Sequence, residues 1–261
     1  RLLRPELLQH RTFMELGMTQ VQVEKYTSSL RKSSGLVIVA GPTGSGKTST
    51  LYTTLRFLAR GTDASQNYTE ELDTDRNIVT IEDPVESVIP GIRQIQTHPD
   101  KGFGFKEALR GILRQDPDVV MIGEIRDKET AIAAIQTALT GHLVLATIHA
   151  PNASSIIPRL IDMGIEPYML SSSISMVLSQ RLIRVFDYQL GWYGERKGVF
   201  EIVPVDPEMR DMIQKKKTPY EIEKYLTRTG HVLLQDACKE MYMRHVTTEE
   251  EINRIALDIY L

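Results

Sequence analysis

Residues 41–48 read Gly-Pro-Thr-Gly-Ser-Gly-Lys-Thr, a complete G-x-x-x-x-G-K-[ST] sequence, and the apolar run Leu36-Val37-Ile38-Val39-Ala40 leads directly into it. A buried strand ending at Ala40 hands the chain to a turn on Gly41, Gly44 and Gly46. The stretch Thr48-Ser49-Thr50-Leu51-Tyr52 can then open a helix whose first amides face an anion. Strand, loop and helix in this order commit the chain to an α/β architecture and point to a nucleoside triphosphate as ligand. A glycine turn without a ligand is the competing reading, and the strand-to-helix context weighs against it. Lys47 is placed to neutralise the β and γ phosphates, and Thr48 to offer its hydroxyl to Mg²⁺, because phosphoryl transfer depends mostly on positioning and charge stabilisation. Gly41, Pro42, Thr43, Gly44, Ser45, Gly46, Lys47, Thr48 and Ser49 are therefore the expected nucleotide-binding residues.

With 261 residues the chain can bury a sizeable core without covalent staples. Its 31 Lys and Arg against 34 Asp and Glu leave a net charge of −3, so no global field recruits nucleic acid or anionic lipid, and only a local basic patch stays open. The single cysteine, Cys238, excludes an internal disulfide and a cysteine-built zinc site, and fits a reducing compartment. No apolar run reaches the roughly eighteen residues needed to span a bilayer, and Arg1-Leu2-Leu3-Arg4-Pro5 does not read as a signal peptide, so any membrane association is expected to be peripheral. The opening without Met reads as a fragment whose N-terminal part has been removed.

Apolar runs at 36–40, 77–81, 119–122 and 143–147 read as strands of a parallel sheet covered on both faces, alternating with helices in a doubly wound core. A helix is predicted over Glu129–Leu139, with Ile132, Ile135 and Leu139 on one face and Gly141 as its stop. Another opens near Met18-Thr19-Gln20, with Val21, Tyr26 and Leu30 on one face. The polar stretch from Gly61 to Arg76 reads as a surface loop. Met163, Met169 and Met176 fit helical packing. Beyond residue 185 short helices are expected, the last started by a capping box at Thr248-Glu249-Glu250-Glu251 and carrying Ile252, Ile255 and Ile259. The division that follows is a linker over 1–34, an α/β core carrying the phosphate loop over 35–185 and a C-terminal helical subdomain over 186–261.

Ligands of open parallel sheets bind at the carboxyl ends of the strands. Here those ends carry Glu82-Asp83-Pro84-Val85-Glu86, Gly123-Glu124-Ile125-Arg126-Asp127 and His149, with His142 at the start of the last strand. A carboxylate in such a place can orient or deprotonate an attacking water, or hold Mg²⁺ through its hydration shell. His142 and His149 read either as sensors of the γ phosphate or as hydrogen-bonded scaffold. Arg110, Arg114 and Arg126 read either as contacts to phosphate or a neighbouring subunit, or as partners of Asp116, Asp118 and Asp127. Lys215-Lys216-Lys217 reads as a solvated loop or helix end, with attraction of lipid or an acidic partner as the competing reading.

Five ordered motifs together resemble the secretion ATPase superfamily. They are the loop at 40–48, Thr80-Ile81-Glu82-Asp83-Pro84-Val85-Glu86, the run from Leu113 to Asp127, the run from Leu139 to Ala150, and Met163 to Ser173. Within that superfamily the chain resembles the assembly motors of type II secretion, type IV pili and competence pseudopili. The resemblance implies a RecA-like core and a Walker A loop at 41–48. It places 82–86 in an aspartate box, an atypical Walker B at 119–124 with Gly123 where Asp is common, and a histidine box at 142–149. It implies that Glu82 is the base or water-orienting residue and that Glu124 acts near Mg²⁺ together with Thr48, the two glutamates being able to exchange roles. Lys47 joins them in catalysis, and Arg126 and His149 join the nucleotide contacts. ATP and Mg²⁺ are the implied cofactors. The implied assembly is a homo-hexamer on the cytoplasmic face of the inner membrane, driving a platform protein, without nucleic acid. Two departures stand out. The tetracysteine zinc element that often follows Gln180-Arg181-Leu182-Ile183-Arg184 is absent, and the family's N-terminal domain is missing except for a last strand near Arg1 to Arg4. A retraction motor, a DNA-translocating motor and a nucleotide-dependent scaffold with negligible turnover are the rival readings.

Overall fold

The computed structural model describes residues 11–60 and 76–260. Arg1 to Arg4 and all but Arg76 of the loop expected over 61–76 lie outside these residues. The four apolar runs become β1 (Gly35–Ala40), β2 (Ile78–Glu82), β4 (Val119–Ile122) and β5 (Leu143–Ile148), joined by β3 (Arg93–Gln96), β6 (Ile174–Asp187) and β7 (Trp192–Pro204). They form one sheet in the order β3-β2-β4-β5-β1-β6-β7, in which every pair is parallel except β6 with β7. The central strands are buried along almost their whole length, as apolar strands covered on both faces must be.

Alternate residues of β1 feed two cores. Leu36, Ile38 and Ala40 pack in one layer with α4 (Phe105–Ile112), α5 (Lys128–Leu139), α6 (Ile156–Asp162), α7 (Pro167–Ser173), α8 (Pro207–Gln214) and α9 (Pro219–Arg228). Val37 and Val39 pack on the opposite face with α1 (Phe13–Leu16), α2 (Gln20–Leu30) and α3 (Lys47–Arg60). A smaller core joins β6 and β7 to α10 (Leu234–Met243) and α11 (Glu249–Tyr260), and Cys238 lies buried within it. Among the described residues no helix is long and apolar enough to cross a membrane.

Local chemistry sets the helix ends. Thr19 opens α2 with a reciprocal capping box to Gln22. The buried face of α2 is Val23, Tyr26 and Leu30, while Val21 is 59% exposed, because it stands about 200° round the helix from Val23. Asp127 caps α5 by accepting from Thr130 N at 2.8 Å. The stripe that α5 buries is Ala131, Ala134, Ile135 and Ala138; Ile132 is only partly buried and Leu139 is exposed. Three alanines let this helix lie close to the sheet, which displaces the expected face. Lys215 and Lys217 pair with Asp211 and Glu221 at the surface beyond α8, as a solvated helix end does.

The boundary read at residue 185 falls inside β6, and the sheet continues through β7 to Pro204 before the helices α8 to α11 begin. Polar residues hid this hairpin from a reading by apolar runs: Ser175, Ser179, Gln180, Arg181 and Glu201 are all buried in it. Met176 accordingly packs as a strand residue, whereas Met163 ends α6 and Met169 lies in α7.

The expected capping box at Thr248 forms only in half. Thr248 Oγ1 accepts from Glu251 N at 3.3 Å, but the Glu251 carboxylate turns inward. There it takes Arg184 Nε at 2.9 Å and Nη2 at 2.7 Å, Arg184 N at 3.0 Å, and Arg254 Nε at 2.9 Å and Nη2 at 2.7 Å. Burial would push this carboxyl up, but the bonds from Arg254 and Arg184 outweigh it and bring it down to about 2. A carboxyl depressed in the folded state stabilises the fold above its unfolded value and loses that contribution as pH falls toward the folded one. Thermal denaturation should therefore show stability falling between about pH 5 and about pH 2, and Glu251→Gln should flatten that fall. Glu251→Ala should cost roughly 2–3 kcal/mol at neutral pH, since it strands two arginines that still reach solvent. An unchanged melting temperature in Glu251→Ala would contradict this account of how α11 is fastened.

Candidate functional site

β1 ends at Ala40 and α3 begins at Lys47, and the loop between them turns on three glycines with φ of +153° at Gly41, +80° at Gly44 and +90° at Gly46. Only glycine takes such angles without strain. A Cβ on Gly41 would come within 2.4 Å of Ser45 Oγ and 2.7 Å of Gln180 O. Around Gly44 there is open space. The loop is thus a backbone cradle opening on a cavity of about 480 Å³. Lys47 lies across it, its Nζ donating to Gly41 O at 2.7 Å and Pro42 O at 3.0 Å. A cation over a glycine cradle at a helix start fits phosphate.

Gln180, fully buried on β6, clamps the loop from the neighbouring strand. Its Nε2 donates to Ser45 O at 2.8 Å, and its Oε1 accepts from Thr50 Oγ1 at 2.8 Å.

The strand ends bring Glu82, Glu124 and His149 to the same cavity, along with Asp83 and Arg126. Glu82 is buried at the end of β2. Its Oε1 accepts from Thr80 Oγ1 at 2.6 Å and Gln94 Nε2 at 3.1 Å, and its Oε2 from Tyr52 OH at 2.5 Å. Three of the carboxylate's roughly four acceptor positions are filled, which leaves one for a water. Glu124 follows β4. Its Oε1 lies 2.7 Å from His149 Nε2 and its Oε2 takes Arg126 Nε at 2.5 Å. Gly123 before it sits in a tight place: a Cβ there would stand 3.2 Å from Ile81 O and 3.4 Å from Glu82 Cα. Thr147 pins this turn to β5, donating to Gly123 O at 2.5 Å and accepting from Ile125 N through its carbonyl at 2.8 Å.

Burial and the nearby Lys47 lower the His149 imidazole from its ordinary value, against the pull of Glu124. The ring is therefore neutral at pH 7 and donates a proton from Nε2 to the glutamate. His142 stands at the other end of β5, away from the cavity lining, where its Nδ1 lies 3.1 Å from Thr137 O at the close of α5. Arg126 also reaches Asp83 at 3.5 Å. Arg110 and Arg114 are exposed and pair with no carboxylate among the described residues. Asp127 and Asp118 are instead used on backbone amides, of Thr130 and Asn77.

A second cavity of about 420 Å³ adjoins the outer side of the loop. It shares Thr43, Gly44, Leu182 and Arg196 with the first and adds Arg181, Arg184 and Arg254. Among the described residues no group of three or more His, Cys, Asp or Glu is arranged to hold a metal ion, so a magnesium would depend on Thr48, Glu124, water and phosphate together. The reading by motifs passed over Tyr52, Thr80, Gln94 and Gln180 as functional residues. For Tyr52 a signal was available, since it lies four residues after Thr48 on the same helix face.

The chain matches the family described as Type II/IV secretion system protein over residues 1–254. It is 39% identical to Type II secretion system protein E of Pseudomonas aeruginosa, over 92% of this chain and 52% of the relative. To the Type IV pilus assembly ATPase PilB of the same organism it is 34% identical, over 93% of this chain and 47% of the relative. Among solved structures it is similar to the pilus retraction motor PilT with bound ADP, with a TM-score of 0.75 and 27% identity, covering 95% of this chain and 67% of that one. The chain spans about half the length of the curated relatives it matches. A match that runs from the first residue to within the last helix, over a fold and a phosphate loop of the expected kind, places the chain in the Type II/IV secretion system protein family.

Proposed function

We propose that this chain is the ATP-hydrolysing core of a motor that drives assembly of a type II secretion pseudopilus or a type IV pilus-like filament. The observation that carries this reading is the convergence of the Lys47 cradle with Glu82 and Glu124 on one cavity. Two relatives above 30% identity, a type II secretion protein and a pilus assembly ATPase, support the assembly role. Likeness to PilT keeps retraction as the alternative. The near-balanced charge of −3 argues against a DNA-translocating motor, which would need a basic track.

In this account the loop amides and Lys47 bind the β and γ phosphates, and Thr48 and Glu124 face the metal, Glu124 partly through water. Magnesium, when bound, supplies charge neutralisation of the phosphates. Glu82 orients the attacking water through its remaining acceptor position and can take its proton. Neutral His149 and Arg126 hold Glu124 from either side, and both line the cavity that receives the nucleotide. The working assembly is a homo-hexameric ring at the cytoplasmic face of the inner membrane, peripheral to it, in which hydrolysis moves subunits against an integral platform protein.

Lys47→Ala should abolish hydrolysis while leaving the melting temperature in place, because its side chain lies over loop carbonyls and not in the apolar core. Normal turnover in that variant would refute the assignment. Glu82→Gln and Glu124→Gln should bind nucleotide yet lose most single-turnover hydrolysis, since a near-isosteric amide neither accepts the water's proton at Glu82 nor offers the metal a negative charge at Glu124. Weaker binding with unchanged turnover per bound nucleotide would remove these roles. Elemental analysis of the purified protein should find no stoichiometric zinc, and chelator should leave its melting curve unmoved; bound zinc would contradict the reading of residues 180–200.

A further inference from the structure

We propose that Tyr52 is a positioning residue that locks Glu82 to the phosphate-binding helix and ties the 84–89 segment to the hydrolytic carboxylate. The proposal rests on the reading of Glu82 as the water-orienting group. Tyr52 stands one turn beyond Thr48 on α3 and is fully buried. Its hydroxyl uses all three of its hydrogen-bonding positions. It donates to Glu82 Oε2 at 2.5 Å and accepts from Glu86 N at 3.1 Å and Ser87 N at 3.4 Å. Burial first, and then the adjacent Glu82, push the phenol well above its ordinary value, so it stays protonated and remains the donor at any physiological pH.

Gln94 on β3 repeats the arrangement from the other side. Its Nε2 donates to Glu82 Oε1 at 3.1 Å and to Ser87 O at 2.9 Å, and its Oε1 accepts from Ile89 N at 2.7 Å. The 84–89 segment is thus fastened by two side chains that both also hold the Glu82 carboxylate. The helix that carries Lys47 and Thr48 therefore sets where Glu82 points, through Tyr52. When Glu82 takes a proton from the attacking water, it becomes a weaker acceptor for Tyr52, which keeps its own proton. The anchor of Glu86 and Ser87 then loosens. Val88, 76% exposed at the tip of this segment, lies where such a change reaches the surface.

The test is Tyr52→Phe in the full chain, which removes one hydroxyl and keeps the ring. Single-turnover hydrolysis should fall roughly tenfold or more, because a donor to a charged group is lost, while the Kd for a fluorescent ATP analogue stays within about twofold. Hydrogen exchange in the peptide covering 84–89 should quicken in Tyr52→Phe and also in Gln94→Leu. Thr80→Val, which removes a Glu82 donor that does not touch the segment, should slow hydrolysis without quickening exchange there. Wild-type hydrolysis and unchanged exchange in Tyr52→Phe, beside an inactive Glu82→Gln, would overturn the proposal and leave Glu82's role standing. Normal hydrolysis in Glu82→Gln would instead sink the reading of Glu82 and the positioning role with it, and in that case exchange in Tyr52→Phe would report only a structural tie.

Discussion

Gln180 makes a buried polar contact on which the site depends. Its amide has no water to fall back on, so its bonds to Ser45 O and Thr50 Oγ1 must both form for the loop and the first turn of α3 to settle. Its own carbonyl packs so tightly on Gly41 that only glycine fits there. The phosphate cradle is therefore set before any phosphate arrives, and its glycine backbone is held by a neighbouring strand. Site preorganisation of this kind lets binding energy act on the ligand and not on folding the loop.

The same strand joins the cradle to the loop after β5. Arg181, next to Gln180, donates to Gln180 O at 3.1 Å and to Pro151 O at 2.8 Å, two residues beyond His149. Across the hairpin, Glu201 accepts from Ala153 N at 3.0 Å, its carboxyl pushed up to about 7 by burial. The β6–β7 hairpin is thus a polar frame between the phosphate loop, the His149 turn and the C-terminal helices. Glu251 fastens α11 to that frame through Arg184. Movement of the C-terminal helices and the geometry around His149 share one support.

What could be read from the chain in advance follows the physics of each element. Apolar strands such as Val119–Ile122 announce themselves because both faces are covered, and the glycine cradle announces itself because backbone angles near +80° and +90° need glycine. β6 and β7 stayed hidden because their buried positions include Gln180, Arg181 and Glu201, whose value lies in partners more than twenty residues away. The motifs named Glu82, Glu124 and His149, and the structure brings them to one cavity; their supports, Tyr52 and Gln94, carry no motif of their own. Val21 and Leu139 show the limit of periodicity: an apolar residue off the buried stripe is exposed however well it fits the composition.

The central claim is that the chain holds a nucleotide by its phosphates. Calorimetric titration of the full chain with ATP, ADP and adenosine in the presence of Mg²⁺ tests it most directly. The account predicts about one ATP or ADP bound per chain and no measurable binding of adenosine, because the cradle, Lys47 and the start of α3 all act on phosphate. Adenosine binding as tightly as ATP, or no binding of ATP at millimolar concentration, would contradict it.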